Sequence, residues 1–190
     1  MNRREALSRV ALLVGGTVVG AEFFLSGCKA NEDKVGASID FSENDIAYLD
    51  EIAETIIPKT DTPGAKDARV GEFMTVMVKD CYDENQQKIF LDGMAKINDA
   101  SKSQFSKGFM DITPEQRKDL LTAIDKESKD YHNNKKHEDP PHYFHLMKQL
   151  TLLGFFTSEP GATQALNYIE TPGRFDPCMP YKKGDKAFAL

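Results

Sequence analysis

The chain has 190 residues, with 24 Lys and Arg set against 30 Asp and Glu, a formal charge of −6 and a mean hydropathy of −0.48. Its cations are interspersed with acids, whereas a phosphate-binding surface needs clustered Lys and Arg, so nucleic acid is excluded as an expected partner. The length suffices for one domain with a core and leaves little room for a second.

Arg3 and Arg4 precede an apolar run, Val10 to Ala21, and the segment closes on Leu25-Ser26-Gly27-Cys28. Basic, apolar and small-residue zones in that order predict an export signal over residues 1–27. Glu22 interrupts the run well short of the roughly 20 apolar residues that span a bilayer, which argues against a permanent transmembrane helix. The closing residues resemble a bacterial lipobox, in which the thiol is acylated and the chain is cut just before it. On that reading Cys28 is a lipidated amino terminus, and two or more acyl chains anchor stably where one binds marginally. Asn2-Arg3-Arg4-Glu5-Ala6-Leu7 resembles a twin-arginine signal, the type that exports folded proteins, with Ala6 and Ser8 departing from its usual Phe and Lys. The expectation is a protein exported and lipid-anchored to a bacterial membrane, on the periplasmic side. Residues 28–40 then form a polar tether and residues 41–190 the domain. Removal of residues 1–27 takes away three arginines and two glutamates, which moves the formal charge from −6 to −7.

After the tether, Ser42-Glu43-Asn44-Asp45 offers a capping oxygen and an acid three residues on, predicting a helix start. Ile46, Leu49, Ile52, Ala53, Ile56 and Ile57 make one apolar stripe until Pro58 stops it. Lys59 to Asp67 is a loop with a Pro63-Gly64 turn. Val70, Phe73, Met74, Met77 and Val78 give a second stripe, and Ile89, Leu91, Met94, Ile97 and Phe105 a longer, less regular third. Gly108 marks a break. Thr113-Pro114-Glu115-Gln116 opens a fourth helix, which buries Leu120, Leu121 and Ile124. Tyr131 to Asp139 turns polar and reads as a solvated connection. Pro140-Pro141 then introduces the most apolar stretch, His142 to Phe156. Phe144, Leu146, Met147, Leu150, Leu152, Leu153 and Phe156 leave it apolar nearly all round, which predicts a central helix. With no alternating β pattern, the fold class is all-α: a single domain of about five helices with an irregular Gly- and Pro-rich segment from Gly161 to Leu190.

With Cys28 committed to lipid, Cys81 and Cys178 remain, in a compartment that permits disulfides. They bond each other, bond a partner, or stay as buried thiols, and the sequence leaves all three open. Neither lies in CxxC or CxxCH, so redox-motif and c-type haem readings find no support. The four histidines, His132, His137, His142 and His145, are clustered, with Asp130, Glu138 and Asp139 nearby. His142 and His145, one turn apart, are the metal candidates. The favoured reading is nevertheless no metal site, since His132 and His137 sit among Asn, Lys and acids. No Gly-rich phosphate loop, GxSxG or HExxH is present, and Asp61, Asp67, Asp80, Asp83 and Glu84 read as solvated faces rather than acid–base pairs.

The stretch Ile56-Ile57-Pro58-Lys59-Thr60-Asp61-Thr62-Pro63-Gly64-Ala65-Lys66-Asp67-Ala68-Arg69-Val70-Gly71-Glu72-Phe73 resembles the gluconate 2-dehydrogenase subunit 3 family. Phe105 to Phe109, Ile112 to Arg117, Leu152 to Glu159 and Thr171 to Cys178 resemble its middle and its end, so the resemblance covers about residues 40 to 180. It implies a non-catalytic accessory subunit, usually bearing a twin-arginine signal, that accompanies a FAD-dependent sugar or sugar-acid dehydrogenase of the glucose–methanol–choline type. The large subunit would hold FAD and oxidise the sugar alcohol, and electrons would pass to a cytochrome c subunit or quinone. This chain itself would hold no cofactor, and would assist folding, export and anchoring of that partner. The resemblance supplies no catalytic residue, and the lipobox departs from the plainest family pattern. Aromatics are favoured in interface cores, which makes Tyr168, Pro172, Phe175, Cys178 and Tyr181 the expected partner contacts, while Phe155 and Phe156 belong to the domain's own core.

Overall fold

The computed structural model describes residues 39–189 apart from 172 and 175–177. Five α-helices follow one another among them: α1 (Glu43–Ile56), α2 (Val70–Cys81), α3 (Glu84–Phe105), α4 (Pro114–Asn134) and α5 (Tyr143–Thr157). A 3₁₀ turn, Phe109–Asp111, lies between α3 and α4, and a short π-helical turn, Gly161–Ala165, follows α5. The all-α reading holds. Among the described residues the helices are accompanied by a two-residue parallel pair, β1 (Asn167–Tyr168) against β2 (Phe188–Ala189), with Asn167 opposite Phe188.

Side chains set the helix starts. Ser42 Oγ accepts from Asp45 N at 3.3 Å while Asp45 Oδ2 accepts from Ser42 N at 2.9 Å, so two otherwise unpaired amides are satisfied reciprocally. Thr113 and Gln116 repeat the device at α4, with Pro114 in the first turn. Asp83 caps α3, accepting from Gln86 N at 2.8 Å. At α5 the cap is His142, whose Nδ1 accepts from Phe144 N at 3.2 Å. Of these five helices, only α2 begins without a side-chain cap: Arg69 adopts φ 54° there, a left-handed conformation unusual for a non-glycine residue.

Helix α5 packs against all four others, as an apolar helix with a polar loop before it should. The core it organises takes Leu49, Ile52 and Ala53 from α1, Val70, Met74 and Val78 from α2, and Leu120, Leu121 and Ile124 from α4. It is closed by Phe109 and Ile112 of the α3–α4 connection. Two close approaches fix where α5 sits. A Cβ on Gly93 of α3 would lie 2.6 Å from Tyr143 Cβ, and one on Gly154 would lie 2.6 Å from Phe73 Cδ1 of α2.

Three expectations need correction. On α3 the buried position is Phe90, fully buried, and Leu91 faces solvent, because the face meeting α5 runs through Phe90, Gly93, Ile97 and Ser101. Helix α4 continues to Asn134, so Tyr131 and His132 are helical and the connection shortens to residues 135–142. On α5, Leu152, Leu153 and Phe156 are exposed by 41%, 47% and 40%, while Phe155 is buried. In a bundle this small even the helix that touches all the others finds neighbours for one side only, whatever its composition.

Candidate functional site

The segment from Ile56 to Phe73 joins α1 to α2 through a loop, residues 57–69, folded back onto α1, and acids of α1 and of the loop accept from its backbone amides. Glu54 Oε1 accepts from Lys59 N and Glu54 Oε2 from Lys66 N, each at 2.9 Å. Asp67 Oδ2 accepts from Gly64 N at 3.2 Å and pairs with Lys59 Nζ at 3.0 Å. Asp50 Oδ1 accepts from Gly71 N at 2.8 Å. Glu51 completes the brace, pairing with Lys66 of the loop and with Arg117 of α4. A Cβ on Gly64 would lie 2.4 Å from Glu54 Oε2, so a side chain there would push the Glu54 carboxylate off the two amides it accepts from. Burial pushes the Asp50 carboxyl above its ordinary range against the lowering effect of the Gly71 amide, and the Lys59 hydrogen bond holds Asp67 below its range. These carboxylates are committed to structure and do not form an acid–base pair. Asp67 and Asp83 therefore depart from the expectation of merely solvated acids, since one braces the loop and the other caps α3. Asp61 and Asp80 are exposed.

The histidines assemble differently from the sequence pairing. His142 and His145 share a helix end but line different grooves: His142 lies with Glu127, Asp130, Tyr131 and Asp139, and His145 with Asp125, Lys129 and Lys148. His142 Nδ1 is occupied as the α5 cap, and its Nε2 lies 3.9 Å from Glu127 Oε1. His145 stacks instead on His132 of α4, with ring centres 4.2 Å apart. Burial holds the imidazoles of His142 and His145 below the usual histidine range. His137 is exposed in the connection, as are Glu138 and Asp139. Among the described residues no three His, Cys, Asp or Glu side chains converge on one point.

Of the expected partner contacts, Tyr168 and Tyr181 are exposed by 48% and 75%, and Met179 and Phe188 stand exposed near them in sequence. Tyr168 sits on β1, tied to the chain end where Ile169 N donates to Ala189 O at 3.0 Å. Pro172 and Phe175 lie outside the described residues, as do the export signal with Arg3 and Arg4, the lipidation position Cys28 and most of the tether. Cys81 and Cys178 are both exposed and not bonded to each other, which removes the buried-thiol reading. No helix among the described residues is long and apolar enough to cross a membrane.

Sequence reasoning missed the surface of α5. Gln149, Leu152, Leu153 and Phe156 recur at i, i+3, i+4 and i+7, all exposed, on the side away from the buried Met147, Thr151 and Gly154. The signal was present in the all-round apolar pattern. A second stripe on a helix that already fills its core-facing side is the pattern by which helices enter a partner's groove.

A family model described as gluconate 2-dehydrogenase subunit 3 matches residues 43–173. No curated protein and no solved structure gives a significant match. The matched span opens on the first residue of α1 and runs past α5 and β1, so it takes in every helix described above together with the braced loop. This chain belongs to the gluconate 2-dehydrogenase subunit 3 family.

Proposed function

We propose that this chain is a non-catalytic accessory subunit that binds a FAD-dependent sugar or sugar-acid dehydrogenase of the glucose–methanol–choline type, helps it mature and travel, and anchors it to the membrane. Family membership carries the reading. The commitment of Asp50, Glu54 and Asp67 to backbone amides of the signature segment supports it, because these carboxylates serve a rigid shape rather than a reaction. The open stripe on α5 supplies a face on which a large subunit can dock. In this reading Arg3 and Arg4 direct folded export of the pair, so that FAD is loaded into the partner before crossing, and acylated Cys28 holds the complex at the periplasmic surface. Electrons leave the flavin for a cytochrome c subunit or quinone, without passing through this chain.

Capture of the full-length protein from native membranes in mild detergent tests the reading. The expected outcome is co-elution of a flavoprotein with sugar-dependent reductase activity. Repeated recovery of the subunit alone, at full yield and folded, overturns it.

A further inference from the structure

His132 on α4 and His145 on α5 face each other across the seam between the two helices, their rings 4.2 Å apart and inclined by 36°. His132 Nδ1 lies 2.8 Å from the Ser128 carbonyl oxygen. A carbonyl only accepts, so Nδ1 carries the hydrogen and Nε2 of the neutral ring presents its lone pair. A backbone carbonyl that fixes one imidazole nitrogen and frees the other is the usual support of a metal-binding histidine. His145 makes no hydrogen bond through either ring nitrogen among the described residues. Both rings open on one groove of about 510 Å³. The Asp125 carboxylate in that groove is paired with Lys129 and Lys148, each at 2.7 Å, and offsets one of their two charges toward an incoming ion.

We propose that His132 and His145 form a two-imidazole site for a divalent late first-row transition cation, such as zinc or nickel, with water completing its shell. Imidazole nitrogen suits these ions, whereas calcium and magnesium demand oxygen ligands that this groove does not free. The ion clamps α4 to α5 beside Leu152, at the margin of the exposed stripe. The site rests on the geometry of these two helices and not on the accessory-subunit reading.

Calorimetric titration of the metal-stripped full-length protein with zinc chloride, its thiols alkylated, tests the proposal together with imidazole nitrogen NMR of all four histidines. One ion per chain is expected, shifting the His132 and His145 resonances and leaving His137 in place. H132Q and H145Q should each weaken zinc by at least about tenfold, while H137Q and H142N leave affinity unchanged. Absence of zinc binding, wild-type affinity in the H132Q/H145Q double variant, or equal shifts in all four rings overturns the site. The resonance shifts in the unaltered protein keep the question answerable even where a variant folds poorly.

Discussion

Arg117 stands where three segments meet. Its guanidinium donates to the Phe109 carbonyl at 3.0 Å and the Met110 carbonyl at 2.7 Å, and pairs with Glu51 of α1, with only 13% of the side chain exposed. R117M keeps the stem's packing but leaves a mostly buried carboxylate and the Phe109 carbonyl short of a partner. Breaking a buried pair costs about 3–5 kcal/mol. Lys66 still pairs with Glu51, so the expected loss is about 2–3 kcal/mol, measured by urea unfolding. His142 gives a pH-dependent counterpart. Its Nδ1 must be unprotonated to cap α5, and its pKa is lowered chiefly by burial, with His132, Lys96 and His145 adding to the effect and Glu127 opposing it. A base held below its unfolded value of 6.5 binds fewer protons when folded, so stability is full above that value and falls as pH drops from 6.5 toward the folded value. Thermal unfolding in chelator at pH 7.5 and about pH 5.5 should show this loss. In H142N, where the amide caps without titrating, the slope should be shallower.

At the scale of elements, Gly93 decides how closely α3 and α5 approach. Alanine is the better helix former by about 1 kcal/mol, so G93A would stabilise α3 in isolation. In the bundle the new methyl would sit 2.6 Å from Tyr143 Cβ, an atom tied to the backbone of a buried residue, and the helices must separate. Overpacking of this kind costs about 1–3 kcal/mol, giving an expected net destabilisation of about 1 kcal/mol. G173A, with nothing within 4 Å of the added atom, serves as the control and should leave the unfolding midpoint unchanged. The five helices were legible because caps and stripes agreed: Ser42 with Asp45, and Thr113 with Pro114 and Gln116, mark starts that composition alone would blur. Helix ends were harder to read. Tyr131 and His132 lie in a polar stretch that looks like loop, yet α4 runs on to Asn134 because α5 folds back alongside it and Lys148 reaches Asp125. Left-handed backbone at Arg69 and Ser106 gave no warning either, since both residue types usually avoid it and only the surrounding turns impose it. The pairing of His132 with His145 belongs to the same class, being a contact between helices that spacing within one helix cannot reveal.

For the whole molecule, the composition of α5 and its surroundings disagree. Such a helix is expected to be enclosed, yet the free subunit encloses only the side centred on Met147, Thr151 and Gly154. The disagreement disappears if the second side is enclosed in an assembly, as an accessory subunit requires. Substituting both Leu153 and Phe156 by Glu separates the two roles. Each is exposed by 40% or more, so the free domain should keep its melting temperature within the scatter usual for surface changes, about 0.5 kcal/mol per site. At the centre of an interface the same charges meet a desolvated apolar groove, where a hot-spot loss of about 2 kcal/mol or more weakens binding roughly thirtyfold. The expected result is a folded, membrane-recoverable subunit that no longer brings the flavoprotein through affinity capture. L150E, at a position only 3% exposed, should instead unfold the domain and so marks what a structural failure looks like. Undiminished flavoprotein recovery with the double variant would remove α5 from the docking surface and leave Tyr168, Tyr181 and the chain end as the place to look.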